Sequence, residues 1–293
     1  NQEDVIEFLH KETEGNIFFM VEVVRALAED AGSLSNIGRM TLPQTVFAGG
    51  IQRVIQHRLS RVPTWAYQAL QVAAIAGRKL DLTVLAKILA EDGIVDLQNW
   101  LMMAADAAIL AVNDDYWYFA HDKLREQLIA DTKVNERPQL HRRVAQAIEV
   151  TYPVNDEYAA ILTEHWHIAG DVEKEARFAL AAGKQAVKAS NIELSIDYFL
   201  RALELTTEDE GQTRTAILSN LGESYRLNGQ YEEATRYFEQ AISLASDIET
   251  KARAWIGLAW AQQNQGYDND SLTSAERAER LLGSVEPPNH RLL

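Results

Sequence analysis

The sequence predicts a mostly α-helical chain: a short helical segment, a helical domain with one small β-hairpin, and a stack of helical hairpins at the C-terminal end. Three observations carry this. Apolar residues recur at three- and four-residue spacing along most of the 293 residues. Two short β-prone runs flank a polar turn around Asp114. The C-terminal part repeats itself at intervals of 37 and 39 residues, a period that fits units of two helices.

The elements follow in order. Asn1 leads at once into Val5-Ile6-x-Phe8-Leu9, a helical pattern already under way, so we read the chain as a fragment of a longer protein. Glu14-Gly15-Asn16-Ile17-Phe18-Phe19 opens a helix that Met20, Val21, Val24 and Leu27 continue, and Gly32 to Thr41 is a polar loop. These make a first segment, 1–45. After Leu42-Pro43, the residues Ile51, Val54, Ile55 and Leu59 mark a second amphipathic helix. Pro63, which has no N–H to give, stops it. Trp65, Leu70, Val72, Ala73 and Ile75 form a third, ending at Gly77; Leu82 to Leu89 is a fourth and Asp96 to Ala107 a fifth. Ile109-Leu110-Ala111-Val112 and Tyr116-Trp117-Tyr118-Phe119 then flank Asn113-Asp114-Asp115 and read as a β-hairpin. Helices, a hairpin and a further helix describe a winged helix, 46–150, whose connector helix holds Leu140 to Ile148.

The remainder, 151–293, is repetitive. Leu218-x-x-Leu221-Gly222-x-x-Tyr225 aligns with Trp255-x-x-Leu258-Ala259-x-x-Gln262, 37 residues on. The offset persists through Gly229 and Gly266, Phe238 and Ala275, Ala241 and Ala278, Leu244 and Leu281. Upstream, Phe199-x-x-Ala202-x-x-Leu205 precedes Phe238-x-x-Ala241-x-x-Leu244 by 39, and a further unit fits Tyr158 to Ser190 with Gly170 at its turn. Small residues (Gly222, Ala234, Ala241) stand where helices must approach. Aromatics (Tyr225, Tyr231, Phe238) fill the gaps between units. No such pair of helices buries its apolar face alone, so the units must stack.

This pattern resembles the tetratricopeptide repeat family, with Trp255, Leu221, Gly222, Tyr225, Ala234, Phe238 and Ala241 at its signature positions. The resemblance implies a protein-binding groove on the concave face of the repeats in 151–293. A helical array of another kind is the alternative.

A second resemblance spans nearly the whole chain. It rests on Gly15-Asn16-x-Phe18-Phe19, Leu59-x-x-Val62-Pro63, Leu70-x-x-Ala73-Ala74-x-x-Gly77, Phe119-Ala120-His121-Asp122-x-x-Arg125-Glu126 and Leu140-His141-Arg142, followed by the repeats. In this order they resemble the C-terminal half of a STAND-class signalling ATPase, a relative of AAA+ ATPases. The chain is similar to the maltose-regulator type of activator and to modules fused to kinases and cyclases. The resemblance implies that segment 1–45 is the end of the ATPase helical lid. It places Asn16 and Ile17 near the adenine of a bound nucleotide, although the family usually has Pro where Ile17 stands. It implies that His121 reaches the ADP β-phosphate. An imidazole N–H suits that task, since phosphate offers only acceptors. ATP or ADP with Mg would be cofactors of the parent protein. The partners would be a protein or inducer on the repeats and an upstream ATPase domain in the same chain.

Other observations bound the function. No Gly-x-x-x-x-Gly-Lys-[Ser/Thr] occurs, and Gly49-Gly50 is not followed by Lys, so the sequence here is not expected to hydrolyse ATP. The chain has no Cys, hence no disulfide or thiolate chemistry, which fits a cytoplasmic location. Its longest apolar candidate, Ile17 to Leu27, is interrupted by Glu22 and Arg25, so no membrane span is expected. The net charge of −15 argues against non-specific nucleic-acid binding. Lys123, Arg125, Lys133, Arg137, Arg142 and Arg143 are interleaved with Asp122, Glu126, Asp131 and Glu136, so DNA is not the expected partner.

His121-Asp122 admits three readings: a catalytic dyad, a nucleotide sensor, or a helix cap. The first lacks a nearby Ser or Cys nucleophile. His165-Trp166-His167 looks like a metal site, but residues two apart on a helix face different ways. A plain repeat scaffold capped by the N-terminal helices, and a winged-helix transcription regulator, are the competing functional readings.

Overall fold

The computed structural model describes residues 58–283 apart from 95, 115, 154 and 155, together with positions 6, 20, 21, 24, 28, 32, 55 and 56. The chain divides into two compact units, 1–136 and 137–293. The helix of Leu140 to Ile148 therefore falls in the second unit.

In the first unit, helix α1 (Thr64–Ala76) follows Pro63, and α2 (Leu82–Glu91) and α3 (Leu97–Asp106) follow aspartates. The Asp81 carboxylate accepts from the N–H of Thr83 and Val84, and that of Asp96 accepts from Asn99 N–H. Each thereby satisfies donors that the first helical turn leaves without a partner. Strands β1 (Leu110–Asn113) and β2 (Tyr116–Phe119) pair antiparallel, with Leu110 opposite Phe119 and Asn113 opposite Tyr116. Asp114 takes a left-handed backbone (φ 48°), as a two-residue loop requires. The turn is thus one residue tighter than the expected Asn113-Asp114-Asp115, because Asn113 joins the ladder.

The stretch between α1 and α2 adds to the sheet. Lys79 bridges Tyr118, Leu80 N–H donates to Trp117 C=O (2.8 Å) and Phe119 N–H donates to Arg78 C=O (3.1 Å). The order is therefore helix, a single-residue β-bridge at Lys79, two helices, β-hairpin, and then α4 (Asp122–Asp131). Trp100, Phe119, Leu70, Leu124 and Leu128 are fully buried in one core. Trp65, expected on the apolar face of α1, is instead 52% exposed. It belongs to the first turn, where Ala66, Ala69 and Leu70 take the inward positions.

The second unit runs α5 (Arg137–Thr151), α6 (Ala159–Ala169), α7 (Val172–Lys188), α8 (Ile192–Leu205), α9 (Gly211–Leu227), α10 (Tyr231–Leu244), α11 (Ile248–Asn264) and α12 (Asp268–Gly283). Four of its turns are built alike. Gly170, Ser190, Gly229 and Gly266 have left-handed backbones. The residue after each donates its N–H five residues back: Asp171 to Trp166, Asn191 to Ala186, Gln230 to Tyr225 and Tyr267 to Gln262. This is the Schellman closure of a helix, which favours glycine because the left-handed region carries no Cβ penalty there. The turn expected at Gly170 is present. The same turn recurs at Ser190, so α7 turns tightly into a neighbour at both of its ends.

Stacking rests on one recurring contact. A Cβ on Gly183 would lie 2.4 Å from the Phe199 ring, and one on Gly222 would lie 2.8 Å from the Phe238 ring. Only glycine lets these rings lie directly on the neighbouring helix. Ala179, Phe199, Ala202, Leu218, Leu221, Ala234 and Ala241 complete a continuous core.

Candidate functional site

His121 joins β2 to α4. Its backbone is extended (φ −151°, ψ 143°), and its Nδ1 accepts from the Lys123 N–H at 3.1 Å. An accepting Nδ1 carries no proton, so the neutral ring is the tautomer with its proton on Nε2. The ring is therefore the cap, and Asp122 is the first helical residue, with its negative charge at the positive end of α4. Asp122 also pairs with Arg78 at 3.1 Å, where both side chains are more than half exposed.

Two bonds hold α4 against α1. Arg125 Nε donates to Ala74 C=O at 2.7 Å, and the Tyr67 hydroxyl donates to the Asp131 carboxylate at 2.6 Å. Burial, with the carboxylate second, raises the Tyr67 hydroxyl well above its ordinary range, so it stays a donor. Beside it lies an open cavity of about 520 Å³ lined by polar groups including Gln68, Gln71, Lys133 and Glu136. Asn16 and Ile17 lie outside the described residues.

In the second unit the three neighbours His165, Trp166 and His167 go separate ways. His165 is buried with its Nδ1 2.9 Å from Nδ1 of His141 on α5. Trp166 is core, under the Lys174 ammonium. His167 lies beside Glu175 (3.2 Å) and Arg201 (3.1 Å). Among the described residues no three His, Cys, Asp or Glu side chains are grouped to hold a metal ion.

The first helices of successive helical hairpins share a stripe at three- and four-residue spacing. On α9 it is Ala216, Ser219, Glu223 and Arg226, all half-buried, with Arg226 bidentate to Glu223 (2.6 and 2.8 Å). Thirty-seven residues on, α11 carries Arg253, Ile256, Trp260 and Gln263, all exposed. The stripe is half-buried on α9 and exposed on α11. Its apolar end at Ile256 and Trp260 was not singled out from sequence, because a Trp at helical spacing reads as core.

Residues 179–247 match the tetratricopeptide repeat model. The match covers α8 to α10 and the later part of α7, and such repeats suggest a protein-interaction role. No curated protein matches the chain. Three solved structures illustrate its likenesses. BtubC from P. vanneervenii is 15% identical, over 82% of this chain and 96% of that one, with a TM-score of 0.41. A STAND protein with a tetratricopeptide repeat sensor from Pyrococcus horikoshii is 14% identical, over 98% of this chain and 48% of that one, with a TM-score of 0.40. A Rap protein complexed with competence and sporulation factor is 15% identical, over 97% of this chain and 77% of that one, with a TM-score of 0.40. Among the described residues, no helix is long and apolar enough to cross a membrane.

Proposed function

We propose that the chain is the sensor arm of a STAND-type signalling ATPase. The helical stack binds a protein or inducer along the stripe that includes Glu223, Arg226, Ile256 and Trp260. The first unit reads as a winged helix, because a β-bridge at Lys79, two helices and a β-hairpin follow α1 in that order. It couples binding to the nucleotide held by an upstream ATPase domain, as a population shift between closed and open states. Asn16 and Ile17 would contact the adenine. ADP or ATP with Mg would be bound by the parent protein.

The observation that carries this reading is the His121 ring. Its Nδ1 is spent on the Lys123 N–H, which fixes the proton on Nε2 and makes that edge a donor suited to a phosphate oxygen. The same bond supports a second reading, in which His121 only caps α4 and the chain is a repeat scaffold. Two substitutions separate them. In the complete protein, His121→Asn keeps a capping acceptor and removes the imidazole donor, whereas His121→Ala removes both. The sensor reading expects weakened ADP retention and raised basal output in both variants. Wild-type ADP affinity in the Asn variant would leave only the cap.

A further inference from the structure

One atom of α6 stands between a donor and an acceptor that it cannot serve together. His167 Nδ1, in the last turn of α6, lies 3.1 Å from Nη2 of Arg201 on α8 and 3.2 Å from Oε1 of Glu175 on α7. Arg201 has only N–H groups to offer, and the Glu175 carboxylate only lone pairs. A lone pair on Nδ1 therefore satisfies Arg201, and a proton there satisfies Glu175. The surrounding groups are held in place. Arg201 Nε donates to Glu175 at 2.7 Å, and its Nη1 donates to Glu204 at 2.8 Å. Glu175 is buried, whereas the His167 ring is open to water, so a proton reaches Nδ1 without unfolding.

We propose that His167 is a proton-operated switch where α6, α7 and α8 meet: neutral, it ties α6 to Arg201 of α8, and protonated, it releases Arg201 and ties α6 to Glu175 of α7. The charges set the direction. Beside a neutral ring, Arg201 faces two carboxylates, and its remaining nitrogen donates to the lone pair. Once the ring is charged, two cations meet at that contact and repel. The ring, Arg201, Glu175 and Glu204 together then carry no net charge, and Glu175 gains a charged donor. Other charged groups on the elements around α6 are engaged elsewhere. On α5, Arg142 donates to the Ala169 carbonyl and Arg137 acts on His141. On α7, Asp171 accepts from the Lys174 N–H, and the Lys174 ammonium pairs with Glu149. Glu164, on α6 itself, acts on Tyr198 of α8, and Asp156 ahead of α6 faces Lys188. Histidine is the side chain whose charge ordinarily changes between about pH 5 and 8, so the exchange falls in that window. Arg201 Nε keeps α7 on α8 in both states, and only the neighbour that holds α6 changes. Such a two-state contact lets a local charge bias how successive helices of the stack are joined. It holds whether or not the stack is tied to an ATPase.

The test reads this ring in the 293-residue chain by nitrogen NMR of its imidazoles, with His167→Asn identifying the His167 signals. At about pH 8, where imidazole is neutral, Nδ1 should be unprotonated and Nε2 protonated. In Arg201→Met the donor is gone, and the neutral ring should move its proton to Nδ1 to serve Glu175, changing the ratio of the two forms about tenfold. At about pH 5 the proton arrives. The Arg201 Nη protons should then exchange with water about tenfold faster than in His167→Asn at the same pH. The Asn oxygen stands close to where Nδ1 stands and takes up no proton, so it keeps Arg201 tied. At about pH 8 the two chains should exchange alike. A neutral wild-type ring that carries its proton on Nδ1 overturns the proposal. So does Arg201 exchange that is equal in the two chains at the lower pH. The first of these measurements is made on the wild-type ring, so it decides even where Arg201→Met weakens the fold.

Discussion

The Phe238 ring lies flat enough on α9 that a Cβ at Gly222 would be 2.8 Å away, inside any tolerated carbon contact. A glycine inside a helix costs about 1 kcal/mol relative to alanine, so helix propensity alone favours Gly222→Ala. Overpacking a filled joint costs about 1–3 kcal/mol and outweighs it. Gly222→Ala should therefore lower the urea midpoint of the second unit, and Phe238→Leu in the same chain should recover part of the loss. A raised midpoint for the single variant would mean the ring can slide aside.

Glu175 is 3% exposed in the first turn of α7, and Arg201 Nε donates to it at 2.7 Å. A buried pair adds little net stability, but removing one partner leaves an uncompensated charge, typically at about 3–5 kcal/mol. Because Arg201 is itself about a third exposed (34%), water re-enters and the lower end applies. Arg201→Met should cost roughly 2–3 kcal/mol, and adding Glu175→Gln should return most of it. A double-mutant cycle with no coupling energy would rule out the pair as a link between α7 and α8.

His141 and His165 face each other through Nδ1 at 2.9 Å, a contact that needs one donor and one lone pair. Burial first, then the Arg137 charge, lowers the His141 pKa from 6.5 to about 4. A folded-state pKa below the unfolded one means the unfolded chain binds more protons over that window, so stability rises with pH. It is complete above pH 6.5 and falls as pH drops toward 4. The side chain is only half-buried, so the loss is roughly 1–2 kcal/mol after screening. Thermal melts at pH 7, 5.5 and 4.5 should show a falling midpoint that is flatter in His141→Gln. An identical slope in the variant would assign the effect to other groups.

Much of the helical order was legible because each element carried its own local signal. The spacing of Leu70, Val72, Ala73 and Ile75 ahead of Gly77 marked α1, and the Gly222, Phe238 and Ala241 spacing revealed the central helical hairpin; the caps at Asp81, Asp96 and Asp171 were not singled out. Less was legible where one sequence signal served two arrangements. Trp65 had helical spacing but fell on the open side of the first turn, and Asn113 read as turn although it pairs with Tyr116. The Phe238 ring lies against both Gly222 and Gly257, a relation between three helices that periodicity does not encode.

The junction between α1 and α4 gives a contrast between two cationic contacts. Arg78 and Asp122 are mostly exposed, 63% and 52%, and a surface pair of this kind is worth about 0–1 kcal/mol. Arg125 instead donates to the carbonyl of Ala74, a fully buried residue in the last turn of α1 whose oxygen has no partner within the helix. The positive charge also lies at the negative end of the α1 dipole. Arg125→Met should therefore cost about 1–3 kcal/mol, the price of a buried acceptor left without its charged donor. Asp122→Asn should stay within about 0.5 kcal/mol. The chain has two units and need not unfold in one step, so the readout is amide hydrogen exchange resolved to α1 and α4. Faster exchange in both helices for Arg125→Met, with Asp122→Asn unchanged, is the expected result. Equal effects of the two substitutions would show that the junction is held by its apolar contacts, Leu124 and Leu128, rather than by the Arg125 bond.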